Sequence, residues 1–167
     1  PRGRLPELWD LLHLMPGRVA VRPIERDGVL YPPAVLERSG ETARSHQRDV
    51  YPSLACAADG RRYVVYTTNR DGTQDVCLRV FDGQKWLPDR PVTATPADEF
   101  DACVFVDSKN RPWVSWTSNA GGPRYDIFLA QVGDAAAPID PAQITHSDDD
   151  AMHARMACDS QGRFWVA

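Results

Sequence analysis

Acidic side chains and histidines are concentrated in one stretch near the end of the chain. Three consecutive carboxylates, Asp148, Asp149 and Asp150, are flanked by His146 and His153. Calcium prefers several carboxylate oxygens as ligands, so the three aspartates are candidate calcium ligands. An acidic run in a loop is more often only solvated by water. We therefore expect no bound metal or other cofactor, with calcium as the alternative.

Further polar residues fall in two sets of predicted loops, which we expect to lie on one face of the molecule. The predicted ligand-binding residues in these loops are Arg48, Asp49, Asn69, Arg70, Asp71, Asp98, Glu99, Asp101, Asn119, Asp150 and His153. A pair of carboxylates flanking a scissile bond is what glycoside hydrolysis requires. The chain contains neither a Gly-x-Ser-x-Gly nor a His-Glu-x-x-His pattern, so no catalytic residue is assigned from such motifs.

The elements that must position these residues are repeated three times along the chain. Residues 51–66, 101–116 and 153–167 align with one another, and their arginines Arg61, Arg111 and Arg163 are 50 and then 52 positions apart. A period of about 50 residues is typical of the blades of a β-propeller. The repeat therefore predicts an all-β protein, a β-propeller with four-stranded antiparallel blades.

Each repeat is expected to contain four strands joined by tight turns. In the first repeat, alternating residues predict strands over 51–57, 62–68, 75–81 and 86–95. In the second repeat, the third and fourth strands are predicted over 125–132 and 142–146. Glycine and aspartate between the strands supply the positive backbone angles that tight turns need.

The first 17 residues differ from the repeats. Leu8, Leu11, Leu12 and Met15 recur at helical spacing. We therefore divide the chain into an N-terminal helical segment over 1–17 and a partial propeller over 18–167. Closed propellers have about four to eight blades. We accordingly expect about three blades, cut at the C-terminus and completed by further blades of a longer chain or by self-association.

The charge and hydropathy of the chain narrow the kinds of partner. The formal net charge of −4 is not the basic excess that nucleic-acid-binding proteins show. The sequence contains no apolar run of about 18 residues, the length that indicates a membrane-spanning helix. We therefore expect neither a nucleic-acid partner nor a membrane span.

The amino-acid sequence of the first repeat resembles that of TolB-like propellers. The resemblance is carried by the turn at Asp59 and Gly60, the loop Thr68-Asn-Arg-Asp-Gly72 and the strand Asp75-Val-Cys-Leu78. The strand Asp126-Ile-Phe-Leu129 of the second repeat has a similar sequence. The longer loops are similar to those of sialidase-like propellers, a more distant resemblance. The TolB-like resemblance implies a propeller fold and an extracytoplasmic location, either periplasmic or secreted.

From this resemblance and from the polar loops we expect a non-catalytic recognition or scaffold module that binds a protein, peptide or glycan. One alternative is a sialidase-like or other propeller glycoside hydrolase that uses acidic loop residues. A second is the propeller domain of a prolyl-peptidase-like serine hydrolase, whose catalytic residues would lie in another domain. Converging carboxylates would favour the glycosidase, whereas scattered carboxylates on a polar face would favour binding.

Overall fold

A computed structural model of the protein describes residues 20–21, 34–35, 49–69, 72–133, 139–159 and 161–167. All regular secondary structure in these residues is β-strand. The predicted N-terminal helix over 1–17 lies outside them. The first two strands, β1 (Ala20–Val21) and β2 (Ala34–Val35), form an antiparallel pair. The remaining strands follow the sequence repeats.

The first two repeats each form a four-stranded antiparallel sheet in which neighbouring strands are also neighbours in sequence. The first sheet consists of β3 (Asp49–Cys56), β4 (Arg62–Thr68), β5 (Asp75–Phe81) and β6 (Arg90–Pro91). The second consists of β7 (Glu99–Val106), β8 (Pro112–Ser118), β9 (Asp126–Gln131) and β10 (Ala142–Gln143). The third repeat forms a pair, β11 (Met156–Cys158) and β12 (Phe164–Val166). These findings confirm the all-β class and the four-stranded antiparallel sheets.

The fourth strand of each sheet is shorter than predicted. In the first sheet only Arg90–Pro91 pairs with β5, while Trp86 makes an isolated bridge to Phe81. Proline lacks the amide hydrogen that a ladder needs, and Pro88 interrupts the predicted strand before Arg90. The predicted span 86–95 is therefore wrong for most of its length.

The core lies between the first and second sheets. Tyr63, Val65 and Leu78 of the first sheet are buried in one cluster with Val114 and Trp116 of the second. Because alternate side chains of a strand point to opposite faces, Val64 and Tyr66 pack in a separate cluster on the other face of β4. Trp116 also stacks on Phe128, with 6.1 Å between the ring centroids.

A turn of constant geometry joins the first and second strands of every repeat. In the second repeat the amide of Asp107 donates to the carbonyl oxygen of Arg111, and the amide of Asn110 donates to that of Asp107. The first and third repeats make the same two bonds. The fourth residue of the turn has a positive φ in every repeat. These residues are Gly60 (90°), Asn110 (60°) and Gly162 (77°).

A carboxylate network stabilises this turn in the second and third repeats. Asp107 Oδ2 accepts hydrogen bonds from Arg111 Nε at 2.7 Å and from Trp113 Nε1 at 3.2 Å. The third repeat has the same network: Asp159 Oδ2 accepts from Arg163 Nε at 2.7 Å and Trp165 Nε1 at 3.1 Å. In the first repeat alanine occupies this position, and Asp59 accepts from Arg61 Nε instead.

The network lowers the pKa of both carboxyl groups. Burial alone would raise the pKa of Asp107, but hydrogen bonds from Arg111, Trp113 and the turn amides outweigh burial and lower the pKa to about 2. For Asp159, bonds from Arg163 and Trp165 lower the pKa to about 2. Both aspartates are therefore ionised at neutral pH and serve the fold.

The third strand pair is more exposed than its counterparts. Val166 of β12 is 40% exposed, whereas Val64 and Val114 at the same position of the first two repeats are buried. Phe164 contacts the second sheet through Phe105 and Trp113, with ring centroids 5.1 and 5.0 Å away. The third pair thus packs on the second sheet and leaves much of its own apolar surface open.

Two further observations concern membrane spans and cysteines. Within the residues that the structure describes, no helix is long and apolar enough to cross a membrane. The four cysteines all fall in described positions, and no disulfide joins them.

Candidate functional site

Every repeat has a non-glycine residue in the left-handed region near the start of its first strand. These residues are Tyr51 (φ 54°), Asp101 (φ 50°) and His153 (φ 63°), which occupy the same position of the repeat. In the first two repeats the strand pairing shifts register at this point, as at a β-bulge. Bulges re-aim side chains, and a strained non-glycine backbone costs about 1–3 kcal/mol. Such strain, recurring in register, marks this row of residues as the candidate site.

A threonine of the preceding repeat holds the strained backbone in place. The amide of Asp101 donates to Thr67 Oγ1 at 3.2 Å, and the amide of His153 donates to Thr117 Oγ1 at 3.4 Å. Both threonines are buried and occupy equivalent positions in the second strands. The bulge of one repeat is therefore fixed by its neighbour.

Asp101 is the centre of a three-residue polar cluster that joins the second and third repeats. Its Oδ2 lies 2.8 Å from His153 Nδ1. Arg155 donates from Nη1 to Oδ2 and from Nη2 to Oδ1, both at 3.2 Å. The Asp101 side chain is only 9% exposed, whereas those of His153 and Arg155 are 69% and 61% exposed. A buried carboxylate thus orients two solvent-facing side chains.

The charges of this cluster follow from these contacts. Burial would raise the pKa of Asp101, but hydrogen bonds from Arg155 and His153, together with their charges, hold it below its usual range. The same bond with Asp101 raises the pKa of Arg155. Because an ionised carboxylate can only accept hydrogen bonds, His153 Nδ1 must be the donor. In the neutral imidazole, Nε2 then carries the free electron pair.

The structure brings together Asp101 and His153 of the predicted binding residues. It gives Asp98, Glu99 and Asn119 a role in packing loops. Asn119 Oδ1 accepts from the amide of Asp98 at 3.0 Å, and Glu99 is 2% exposed and accepts from Thr95 Oγ1 at 2.8 Å. Burial raises the pKa of Glu99. These three residues therefore hold neighbouring segments together.

Three other predicted residues, Asp49, Asn69 and Asp150, have positions that the structure describes. Asp49 is buried at the start of β3, and the carbonyl of Asn69 accepts from the amide of Gly72. Asp150 Oδ1 accepts from the amide of Tyr125 at 2.9 Å. The remaining three, Arg48, Arg70 and Asp71, lie outside the described residues.

The candidate calcium ligands Asp148 and Asp149 are exposed. Over the described ranges, no group of three or more His, Cys, Asp or Glu side chains is arranged to hold a metal ion. The calcium alternative therefore gains no support from the geometry.

The predicted binding set leaves out two residues of the site, Tyr51 and Arg155. Tyr51 is 62% exposed and aligns with Asp101 and His153 in the sequence repeat, so the alignment itself was the available signal. Arg155 lies next to a strand rather than in a predicted loop. It aligns with Ser53 and Cys103, and a charged residue where the other copies have small ones is a second signal.

Comparisons with known proteins place these features in context. No protein-family model matches the chain, and no curated protein matches its sequence. In structure, the chain is similar to the Hadza microbial sialidase Hz136, with a TM-score of 0.44 and 16% identity over 69% of this chain and 32% of that chain. The chain thus spans about a third of the length of that protein. The TolB-like resemblance remains a prediction.

Proposed function

We propose that the repeats are blades of a β-propeller and that the face carrying the bulged strand starts is a non-catalytic recognition surface for a polar ligand. The observation that carries this proposal is the row of Tyr51, Asp101 and His153. All three adopt the same strained backbone, yet their side chains differ. Strained residues persist where the surrounding structure fixes them, and they cluster at ligand-binding sites.

The side chains of this face suit a protein, peptide or glycan ligand. Tyr51 offers an exposed aromatic ring, which can cover an apolar part of a ligand while its hydroxyl group bonds to a polar part. Arg155 and His153 offer polar atoms whose positions Asp101 fixes. An extracytoplasmic location belongs to the same proposal and rests on the TolB-like resemblance.

A hydrolase is the second candidate, and one contact favours it. The 2.8 Å contact between His153 Nδ1 and Asp101 leaves Nε2 on an exposed side chain. This is the arrangement of a histidine general base oriented by a carboxylate. His153 would take a proton from water as the water attacks the scissile bond.

The test is binding of the 167-residue chain to glycan and peptide arrays. We expect the His153→Ala variant to lose binding to the ligands that the wild-type chain binds. The matched control is Lys109→Ala, an exposed residue of the turn at the other end of the strands, which should bind like wild type. An absence of array ligands, or ligands that His153→Ala binds unchanged, would contradict the proposal. Release of a cleaved product from bound ligands would favour the hydrolase.

A further inference from the structure

Arg155 uses only part of its hydrogen-bonding capacity within the protein. A guanidinium group has five N–H donors. Nη1 donates to Asp101 Oδ2 and to the carbonyl of Ala154, and Nη2 donates to Asp101 Oδ1. The two remaining hydrogens, on Nε and Nη2, lie side by side on the second edge of the planar group. None of the described residues accepts from that edge.

This open edge distinguishes Arg155 from the repeated arginines. Arg61, Arg111 and Arg163 all donate from Nε to an aspartate of their own turn. Arg155 instead presents its Nη edge to Asp101 and leaves the Nε edge on a side chain that is 61% exposed. The repeated arginines are thus committed to turns, while Arg155 retains a two-pronged donor.

The donor edge is also held in a fixed orientation. Asp101 is buried, ionised and anchored through its own amide to Thr67. The two bonds from Arg155 to this carboxylate restrict the rotation of a side chain that is otherwise mobile. Restricting a binding group before the ligand arrives lowers the entropy cost of binding.

We propose that Arg155 forms an oxyanion-binding subsite, with Asp101 as its positioning residue. The proposal rests on the recognition face described above and names the ligand chemistry: a group that offers two coplanar oxygens, as in a carboxylate, a phosphate or a sulfate. Such groups accept two parallel N–H bonds from a guanidinium edge. Because Asp101 offsets the charge of Arg155, the selection of a ligand group depends on these two directed hydrogen bonds rather than on net charge.

Titration of the full 167-residue chain with acetate, inorganic phosphate and sulfate tests the subsite. The Arg155 Nε–H signal in ¹H–¹⁵N spectra should shift and saturate with at least one of these anions. Arg155→Lys keeps the charge but lacks the two-pronged edge, so binding should weaken at least about tenfold. The control variant Arg124→Ala removes another exposed arginine. Its affinity for the anions should be within about twofold of wild type, well short of the tenfold change that corresponds to about 1.4 kcal/mol.

The absence of a saturable shift, or equal binding by Arg155→Lys, would overturn the subsite. Circular dichroism of Arg155→Lys checks that the variant is folded. Glucuronate and N-acetylglutamate then present the same carboxylate on a sugar and on an amino acid, and the tighter binder identifies the source. If the arrays yield ligands but the anions do not bind, only the subsite fails. If the anions bind at Arg155 and the arrays yield nothing, only the wider recognition proposal fails.

Discussion

The two ends of the first strand of each repeat differ in what they conserve between repeats. We call the end next to Asp107 or Asp159 the turn end, and the end at Asp101 or His153 the bulge end. At the turn end, Asp107 and Asp159 repeat both the backbone geometry and the side-chain contacts. At the bulge end, only the backbone repeats, since Tyr51, Asp101 and His153 share a positive φ but no chemistry. Side chains that recur with their contacts serve the sheet. Side chains that vary on a constant backbone are the ones for which we propose a binding role.

The largest effect is expected from removing the turn carboxylate of the second repeat. Asp107→Ala deletes the acceptor for Arg111, Trp113 and the turn amides at a buried site. We expect a loss of about 3 kcal/mol in the free energy of unfolding, measured by urea denaturation.

The third repeat provides the matched control for that variant. Asp159→Ala removes the same contacts at a more exposed site, where solvent weakens the ion pair, so the loss in the free energy of unfolding should be clearly smaller than for Asp107→Ala. Equal losses for the two variants would show that burial does not set the strength of this network.

Acid should weaken the turn end through the same two carboxylates. Their pKa of about 2 is below the unfolded value of about 4. Lowered folded pKa values give stability that is complete above about pH 4 and is lost as the pH falls toward 2. We expect the melting temperature to fall over this range, and to fall less steeply in an Asp107→Asn, Asp159→Asn double variant. A double variant as steep as wild type would assign the acid sensitivity to other groups.

A smaller effect is expected from the anchors of the bulge end. Thr117→Val keeps the shape of the side chain but removes the acceptor for the amide of His153. We expect a loss of about 1 kcal/mol in urea denaturation, together with changed backbone chemical shifts at His153. Ser108→Ala, at an exposed residue of the turn, should change neither. Unchanged shifts at His153 in Thr117→Val would mean that the threonine does not fix the bulge.

The smallest effect should come from Asn110→Gly, at the turn residue that has a positive φ without being glycine. Asn110 Oδ1 accepts a hydrogen bond from the amide of Ala58 in the first repeat. Asn110→Gly loses this bond but relieves the backbone, so the net change should be within about 0.5 kcal/mol. Asn110→Ala loses the bond and keeps the strain, and should cost about 1–2 kcal/mol. A costly Asn110→Gly would show that the contact between repeats dominates the strain.

The sequence predicted the turn end well and the bulge end poorly, for a physical reason. Strand β4 was predicted correctly at 62–68, because its alternation and the preceding Asp-Gly turn are local features of the chain. The positive φ of Asp101 has no local signature, because the shift in strand pairing and Thr67 of the neighbouring repeat impose it.

Burial also explains why only some of the predicted ligand-binding residues belong to the candidate site. Glu99 and Asp101 are two residues apart and both were predicted to bind a ligand. Glu99 is enclosed between segments that are distant in sequence, whereas Asp101 reaches the exposed His153 and Arg155. No pattern within one strand could tell these two carboxylates apart, because the packing of adjacent repeats decides their exposure.

The threonine anchors have a consequence for how this protein could diversify. Since Thr67 and Thr117 hold the backbone of the next repeat through its amide, the side chain at the held position is not needed to keep the strand in shape. Duplicated repeats could therefore exchange that single residue during evolution and acquire a different specificity on an inherited scaffold. The same freedom makes positions 101 and 153 suitable for randomised libraries.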